Sequence, residues 1–257
     1  MEQKKSNNRE NEDLIIGRNA VMEVLNSGRA MDTLLVARGE RNGSIGKIIS
    51  ECKAKGIVIK EVDEKKLDFM CGQGNHQGVA AYVAAHEYAS VDDIFALANE
   101  RNEQPFIIIC DELEDPRNLG AIVRTAETAG AHGVIIPKRR SASLSYAVGK
   151  TACGALEYVP VARVGNLAST IDELKEKGVW IYGADMDGET WCQTDYSGAV
   201  ALVIGSEGKG LGRLIKEKCD FIVSLPMKGH ITSLNASVAA GIMMYEVSRQ
   251  RSEIKAK

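Results

Sequence analysis

The chain has 257 residues, 44% hydrophobic and 26% charged, a balance that excludes disordered and fibrous classes and gives room for one or two cores. Lysine and arginine total 32 against 35 acidic residues, and a net charge of −3 argues on its face against a nucleic-acid partner. No window approaches the ~18 uninterrupted apolar residues of a membrane span, and MEQKKSNNRENED lacks the apolar segment of a signal peptide, so a cytoplasmic globular protein is expected.

Residues 1–12 read as a disordered tail. In GRNAVMEVLNSG, Ala20, Val21, Val24 and Leu25 share one helical stripe, and Gly28 supplies a stop. A strand over 32–37 follows, then a helix with Ile45, Ile48, Ile49 and Cys52 on one face, ending at Gly56. A strand over 57–62, a short helix near 64–70 and a strand over 78–85 complete an alternating α/β unit, residues 13–88. The loop CGQGNHQG lies before its last strand. Residues 89–104 read as a linker, with a capping-box start at Ser90 for a helix over 91–100.

From Pro105 short apolar runs alternate with helical stripes, giving a second unit, 105–251, and a tail over 252–257. Strands are predicted at 106–110, 133–137, 158–162, 180–184, 201–205 and 221–226. Helices are predicted at 118–129, near 144–152, and at 167–177, 211–218 and 234–249. Strands this apolar, separated by helices, indicate a largely parallel sheet covered on both faces, hence an α/β class.

The glycine-rich loops do not fit nucleotide sites. GSEGKGLG from Gly205 lacks the G-x-x-x-x-G-K-[ST] phosphate cradle, and GQGNHQG from Gly72 lacks G-x-G-x-x-G. Six scattered cysteines, never as C-x-x-C, suit a reducing cytosol, and the four histidines have no metal-ligand spacing, so no metal is expected. DELED at 111–115 suits a polar loop after a strand better than a magnesium site. PKRRSASLSYAVGK carries Lys138, Arg139, Arg140 and Lys150 with no acid among them; it is either a phosphate-holding stripe or a solvated loop.

Three segments stand out together: DPRNLGAIVRTAETAGAHGVIIP (115–137), ALVIGSEGKGL (201–211) and LPMKGHITSLNASVAAGIMMYE (225–246). In this order they resemble the SpoU/TrmH family (SPOUT superfamily) of RNA 2′-O-ribose methyltransferases over residues 105–251. Residues 13–88, ending in NHQGV, resemble the family's L30e-like substrate-binding domain, a combination similar to 23S rRNA guanosine methyltransferases of the RlmB type. The resemblance implies a C-terminal α/β knot, a deep trefoil with a mainly parallel sheet. It also implies S-adenosyl-L-methionine as methyl donor, no metal, and an RNA partner, 23S rRNA, with neither DNA nor membrane. A homodimer with its active site at the interface is implied as well.

Carried over by motif, Arg124, Asn118, Glu207, Ser233 and Asn235 are the catalytic candidates. Arg124 matches the family's catalytic arginine, proposed to help deprotonate the ribose hydroxyl. Because a guanidinium stays protonated, we read it instead as gripping the target phosphate and polarising the hydroxyl; a surface salt bridge to Glu127 or Glu207 is the structural alternative. Asn118 either caps its helix or orients Arg124 and the ribose. Glu207 anchors the arginine or closes its turn, and Ser233 and Asn235 cap the last helix or line the donor and ribose pocket. Gly205, Leu225 and Leu234 match cofactor-contacting positions, with Ile204, Gly208 and Met227 beside them. RNA recognition is expected from Arg18, Asn75, His76 and Gln77 and from Lys138, Arg139 and Arg140, with Asn19 a further candidate. Arg117, Leu225 and Ala236 depart from the family's frequent histidine, isoleucine and valine, touching none of the five catalytic positions. Two alternatives remain: a tRNA ribose methyltransferase, and a non-catalytic RNA-binding assembly factor of the same fold.

Overall fold

The computed structural model describes residues 13–39, 43–72, 74–206 and 208–252; both tails read from the sequence fall largely outside them. The chain forms two compact units, one from the residues up to Glu87 with Ser143–Ala147, the other from Tyr88–Ala142 and Val148 onward.

The N-terminal unit runs β1 (Leu14–Ile16), α1 (Arg18–Ser27), β2 (Met31–Ala37), α2 (Ser44–Ala54), β3 (Val58–Val62), α3 (Glu64–Met70) and β4 (Val79–Val83). Its sheet has the order β1-β4-β2-β3, antiparallel except for the β2–β3 pair. Val21 and Leu25 of α1 and Ile45, Ile48 and Cys52 of α2 bury one face against Leu34, Val36, Val79 and Ala81. Leu67 and Cys71 cover the other face over Leu35, Ala37 and Ala80. Alternation along β2 and β4 sends neighbouring side chains to opposite faces, so two small cores share one sheet.

The second unit contains α4 (Val91–Glu100), β5 (Phe106–Cys110), α5 (Pro116–Thr128), β6 (Gly133–Pro137), β7 (Val161–Val164) and α7 (Leu167–Glu176). Between β6 and β7 lies α6 (Tyr146–Ala152), whose first two residues cluster with the N-terminal unit. There follow β8 (Trp180–Thr190), β9 (Val200–Ile204), α8 (Arg213–Lys218), β10 (Phe221–Ser224) and α9 (Ala236–Arg251). The six strands are all parallel, in the order β10-β8-β9-β5-β6-β7. Ile107, Ile109, Ile135, Ala201 and Val203 face Ile94, Leu167, Ile171, Leu174 and Ile215 on one side. Helices α5 and α9 pack on each other and against β6 and β9. Every residue of β5 and β9 is buried, which is why both read as uninterrupted apolar runs.

Several sequence-based boundaries move for local reasons. The helix expected over 91–100 within the linker 89–104 is α4, with its capping box at Ser90, but its Ile94 is fully buried, and a Cβ on Gly133 would come 2.4 Å from the Ile94 Cγ1. The strand expected at 158–162 is β7, displaced because Ala155–Glu157 forms a 3₁₀ turn before Pro160. β8 extends to Thr190 rather than stopping at 184, and α9 starts two residues late because Asn235 caps it. α5 starts early: Asp115 accepts from Arg117 N at 2.8 Å, with Pro116 in the first turn. Asn118 therefore lies inside the helix and does not cap it.

Candidate active site

The middle of β8 and the carboxyl ends of β9 and β10 meet the glycine-rich turn after β9 and the loop before α9. Crevices outside the carboxyl ends of parallel strands are the usual place for a ligand in an α/β sheet. Here they enclose a cavity of about 290 Å³. All six expected cofactor positions line it: Ile204 and Gly205 at the end of β9, Gly208 in the turn, Leu225 and Met227 after β10, and Leu234 before α9. Ser233, expected as catalytic, lines it too, and so do Ala236, Ala239 and Met243 of α9.

The turn is built for close approach. Ser206 and Gly210 exchange backbone hydrogen bonds, Ser206 N to Gly210 O at 3.1 Å and Gly210 N to Ser206 O at 3.0 Å. A Cβ on Gly205 would stand 2.3 Å from Gly210 C and O, and Gly208 holds φ +81°. Both positions require glycine for steric reasons. The turn is pinned at its far end by Asp111, whose Oδ2 accepts from Gly212 N at 2.7 Å. Burial pushes the Asp111 carboxyl above the ordinary carboxylate range, and the bond to Gly212 opposes that shift. Asp111 was not singled out in the sequence, although it opens the polar run after β5.

Asn235 joins α9 to α5. Its Oδ1 accepts from Ser237 N at 3.0 Å and Val238 N at 3.3 Å, and its Nδ2 donates to Asn118 Oδ1 at 3.0 Å. Asn235 thus caps the helix, one of the two roles expected of it, and the same amide reaches the buried Asn118; it does not itself line the cavity. Ser233 does not cap; it lies on the cavity wall. Six residues beyond Asn118, about 9 Å along the helix at ~1.5 Å per residue, Arg124 is exposed, and its Nη1 donates to Cys153 Sγ at 3.5 Å. It lies outside the cavity wall, beside the Cys153 thiol. Glu207 lies outside the described residues.

Of the expected RNA-facing residues, Arg18 and Gln77 are joined: Arg18 Nε donates to Gln77 O at 2.8 Å. Asn75 is exposed beside them on the loop before β4. His76 corrects the expectation. Its ring is buried, Nδ1 accepting from Gly78 N at 2.9 Å and Nε2 meeting Asp68 Oδ1 at 2.9 Å, so it pins the loop from within and presents no edge to a base. Lys138 and Arg139 follow β6, and Arg140 pairs with Glu112 Oε1 at 2.6 Å, an acid from outside the basic stripe.

Sequence reasoning also missed Ala184, Asp185 and Met186 on the cavity wall. Gly183 pairs with Ile222, but the next pair joins Glu189 to Val223, so residues 184–188 bulge out of the β8–β10 ladder. A Cβ on Gly188 would lie 2.5 Å from the Ile222 backbone, which makes the tight return glycine-dependent. The sequence signal was a pair of acids, Asp185 and Asp187 in DMD, following an apolar strand.

Comparison with known proteins agrees with this geometry. The SpoU rRNA Methylase family model matches residues 105–245, and a model for RNA 2′-O ribose methyltransferase substrate binding matches residues 14–89. YacO of Bacillus subtilis, named as a TrmH family tRNA/rRNA methyltransferase, is 54% identical over 94% of this chain and 97% of its own length. A Staphylococcus aureus relative named for the same family is 46% identical over 94% and 97%. Among solved structures, an AdoMet-bound rRNA methyltransferase from Sinorhizobium meliloti superposes with a TM-score of 0.57 at 25% identity, covering 98% of this chain and 92% of its own. The fold of the SpoU methyltransferase AviRb from Streptomyces viridochromogenes matches with a TM-score of 0.59 at 24% identity, over 93% and 90%. With both units matched and the cavity lined by two of the three motif segments, the chain belongs to the SpoU/TrmH family of RNA methyltransferases.

Proposed function

We propose that the chain uses S-adenosyl-L-methionine to methylate the ribose 2′-oxygen of a guanosine in 23S rRNA, in the cytoplasm. The observation that carries the reading is the cavity, in which all six nominated donor positions converge. Its volume of about 290 Å³ is near the ~300 Å³ lower bound of small-ligand sites. Leu225, Leu234, Ala236, Ala239 and Met243 offer apolar walls suited to an adenine, and Asp185, Thr232 and Ser233 offer polar groups suited to a sugar and an amino-acid tail. When bound, the donor supplies a sulfonium-activated methyl group.

The chain's own residues do the rest. Asn235, held to Asn118, fixes the start of α9 beside Ser233 and Leu234. Arg124 grips the phosphate next to the target ribose and polarises its hydroxyl, whose proton leaves to water or a phosphate oxygen. Holding two reactants in line supplies much of such a barrier, on the order of 7–11 kcal/mol at best. Arg18, Asn75 and Gln77 with Lys138 and Arg139 capture the RNA, reading an unstacked nucleotide as most sequence-specific RNA contacts do.

The working form is a homodimer. Val238, Ile242 and Tyr245 follow i, i+4, i+7 spacing on the outer side of α9 and are 50%, 36% and 53% exposed, with Ile231 at 76% just before the helix. We take these exposed apolar side chains as the interface, because such surface gains by being covered, and a second copy covering it completes the site beside the cavity.

The test incubates the protein with labelled S-adenosyl-L-methionine and either 23S rRNA or tRNA, then identifies the modified nucleoside. The expected product is 2′-O-methylguanosine in 23S rRNA. Label confined to tRNA would favour the tRNA enzyme, and absence of donor binding would favour the assembly factor.

A further inference from the structure

We propose that Asp185 recognises the vicinal ribose hydroxyls of the methyl donor, an assignment that rests on the donor reading above. The β8 bulge carries Asp185 out of strand pairing and onto the cavity wall, where its side chain is 16% exposed. Among the described residues lining the cavity it is the one carboxylate. Its Oδ2 lies 3.6 Å from the position a Cβ on Gly210 would take, so the carboxylate and the glycine-rich turn form neighbouring parts of one wall. The amides of Ser206 and Gly210 in that turn already donate to each other's carbonyls, so neither N–H is offered to a ligand there.

The carboxylate is held and partly satisfied. Oδ1 accepts from Met186 N at 2.7 Å, and Oδ2 meets Lys216 Nζ at 3.2 Å. An ionised carboxylate has about four lone-pair sites, so each oxygen keeps one for a ligand donor. Two adjacent hydroxyls match two adjacent acceptors, the geometry by which an acidic residue reads a ribose in dinucleotide sites. Lys216 also decides between hydroxyls and a cation. Its ammonium neutralises Asp185 at contact distance, and the nearby Asp187, 3.6 Å from the same Nζ, is 84% exposed and screened by solvent. Lys209 adds a further positive charge on the wall. What remains at Asp185 is hydrogen-bond acceptance with little net field for a sulfonium.

Calorimetric titration of the full chain with S-adenosyl-L-methionine, S-adenosylhomocysteine and 2′-deoxy and 3′-deoxy forms of the latter tests this. Asp185→Ala is expected to weaken both ribose ligands equally, by about tenfold or more, the scale of a lost charged hydrogen bond. It should weaken the deoxy ligands less. Asp185→Asn, close in shape, repeats the measurement if alanine loosens the bulge and is expected to fall between the two. Unchanged affinity in both variants, an equal loss for the deoxy ligands, or a loss confined to the sulfonium ligand would overturn the assignment. If the wild type binds neither ribose ligand, the donor reading itself fails and Asp185 with it.

Discussion

In the proposed reaction Arg124 serves as a positive charge beside the ribose and not as the base that removes its proton, because a guanidinium offers donors and no acceptor. Its value lies in a transition state where charge develops on the hydroxyl oxygen. Removing one preorganised donor of that kind costs on the order of 10²–10³ in rate. Arg124→Ala is therefore expected to lower single-turnover methyl transfer by at least about a hundredfold while leaving donor affinity unchanged, because the guanidinium contacts Cys153 and not the cavity wall. Near-wild-type turnover would remove Arg124 from the chemistry. The residue types of this site were legible in the sequence, but their partners were not. Asn118 carries the signature of a cap and is instead the buried partner of Asn235, because Asp115 three positions earlier already accepts the first-turn amide. His76 looked like a polar group on a flexed loop; Asp68, eight residues earlier and outside the motif, turns it inward.

Elements were legible where hydrophobic period decides them. The fully buried β5 and β9 read as apolar runs, and α7 and α4 read as stripes, because burial on one face forces the pattern. The β8 bulge was illegible, since β8 continues after its apolar run with alternating polar residues that resemble a loop, and its pairing to β10 is set by a strand some 40 positions later. The turn after β9 is the element on which the cavity depends, and its steric demands make a direct test. Gly205→Ala places a methyl group 2.3 Å from the Gly210 backbone, where no flexible side chain can yield. Overpacking of this sort costs ~1–3 kcal/mol, and here the strain falls on the cavity wall. Donor binding is expected to drop at least tenfold with only a few degrees lost from the melting temperature, as read by titration and by thermal denaturation of the same sample. Wild-type affinity in that variant would mean that the turn does not shape the site.

At the scale of the molecule, two consequences follow from groups outside the cavity lining. His132 is fully buried, Nδ1 accepting from Phe106 N at 2.9 Å and Nε2 meeting Glu103 at 3.1 Å. Burial lowers its pKa below the ordinary 6.5, although Glu103 pulls the other way. The unfolded chain then binds the extra proton first, so stability is complete above pH 6.5 and declines as pH falls from there toward the depressed folded value. Denaturant midpoints between pH 7.5 and 5.5 should show that decline, and His132→Gln should flatten it; an equal slope in both would assign it to other groups. Oligomeric state is the second consequence. No helix among the described residues is long and apolar enough to cross a membrane, so the outer stripe of α9 is not part of a transmembrane helix. The inner side of the same helix buries Ala240, Met243, Met244 and Val247, so α9 is apolar on two sides, as a helix is when it is enclosed between layers. Val238 and Tyr245 lie on the outer side, well over a third of a turn around the helix from the cavity residues Ala236 and Met243 at ~3.6 residues per turn, and replacing both with lysine spares that wall. The doubly substituted chain is expected to scatter light as a monomer, to keep a cooperative melt, and to lose methyl transfer by more than tenfold. Transfer that persists in a proven monomer would mean that a single chain completes the site, and the stripe would then need a different partner.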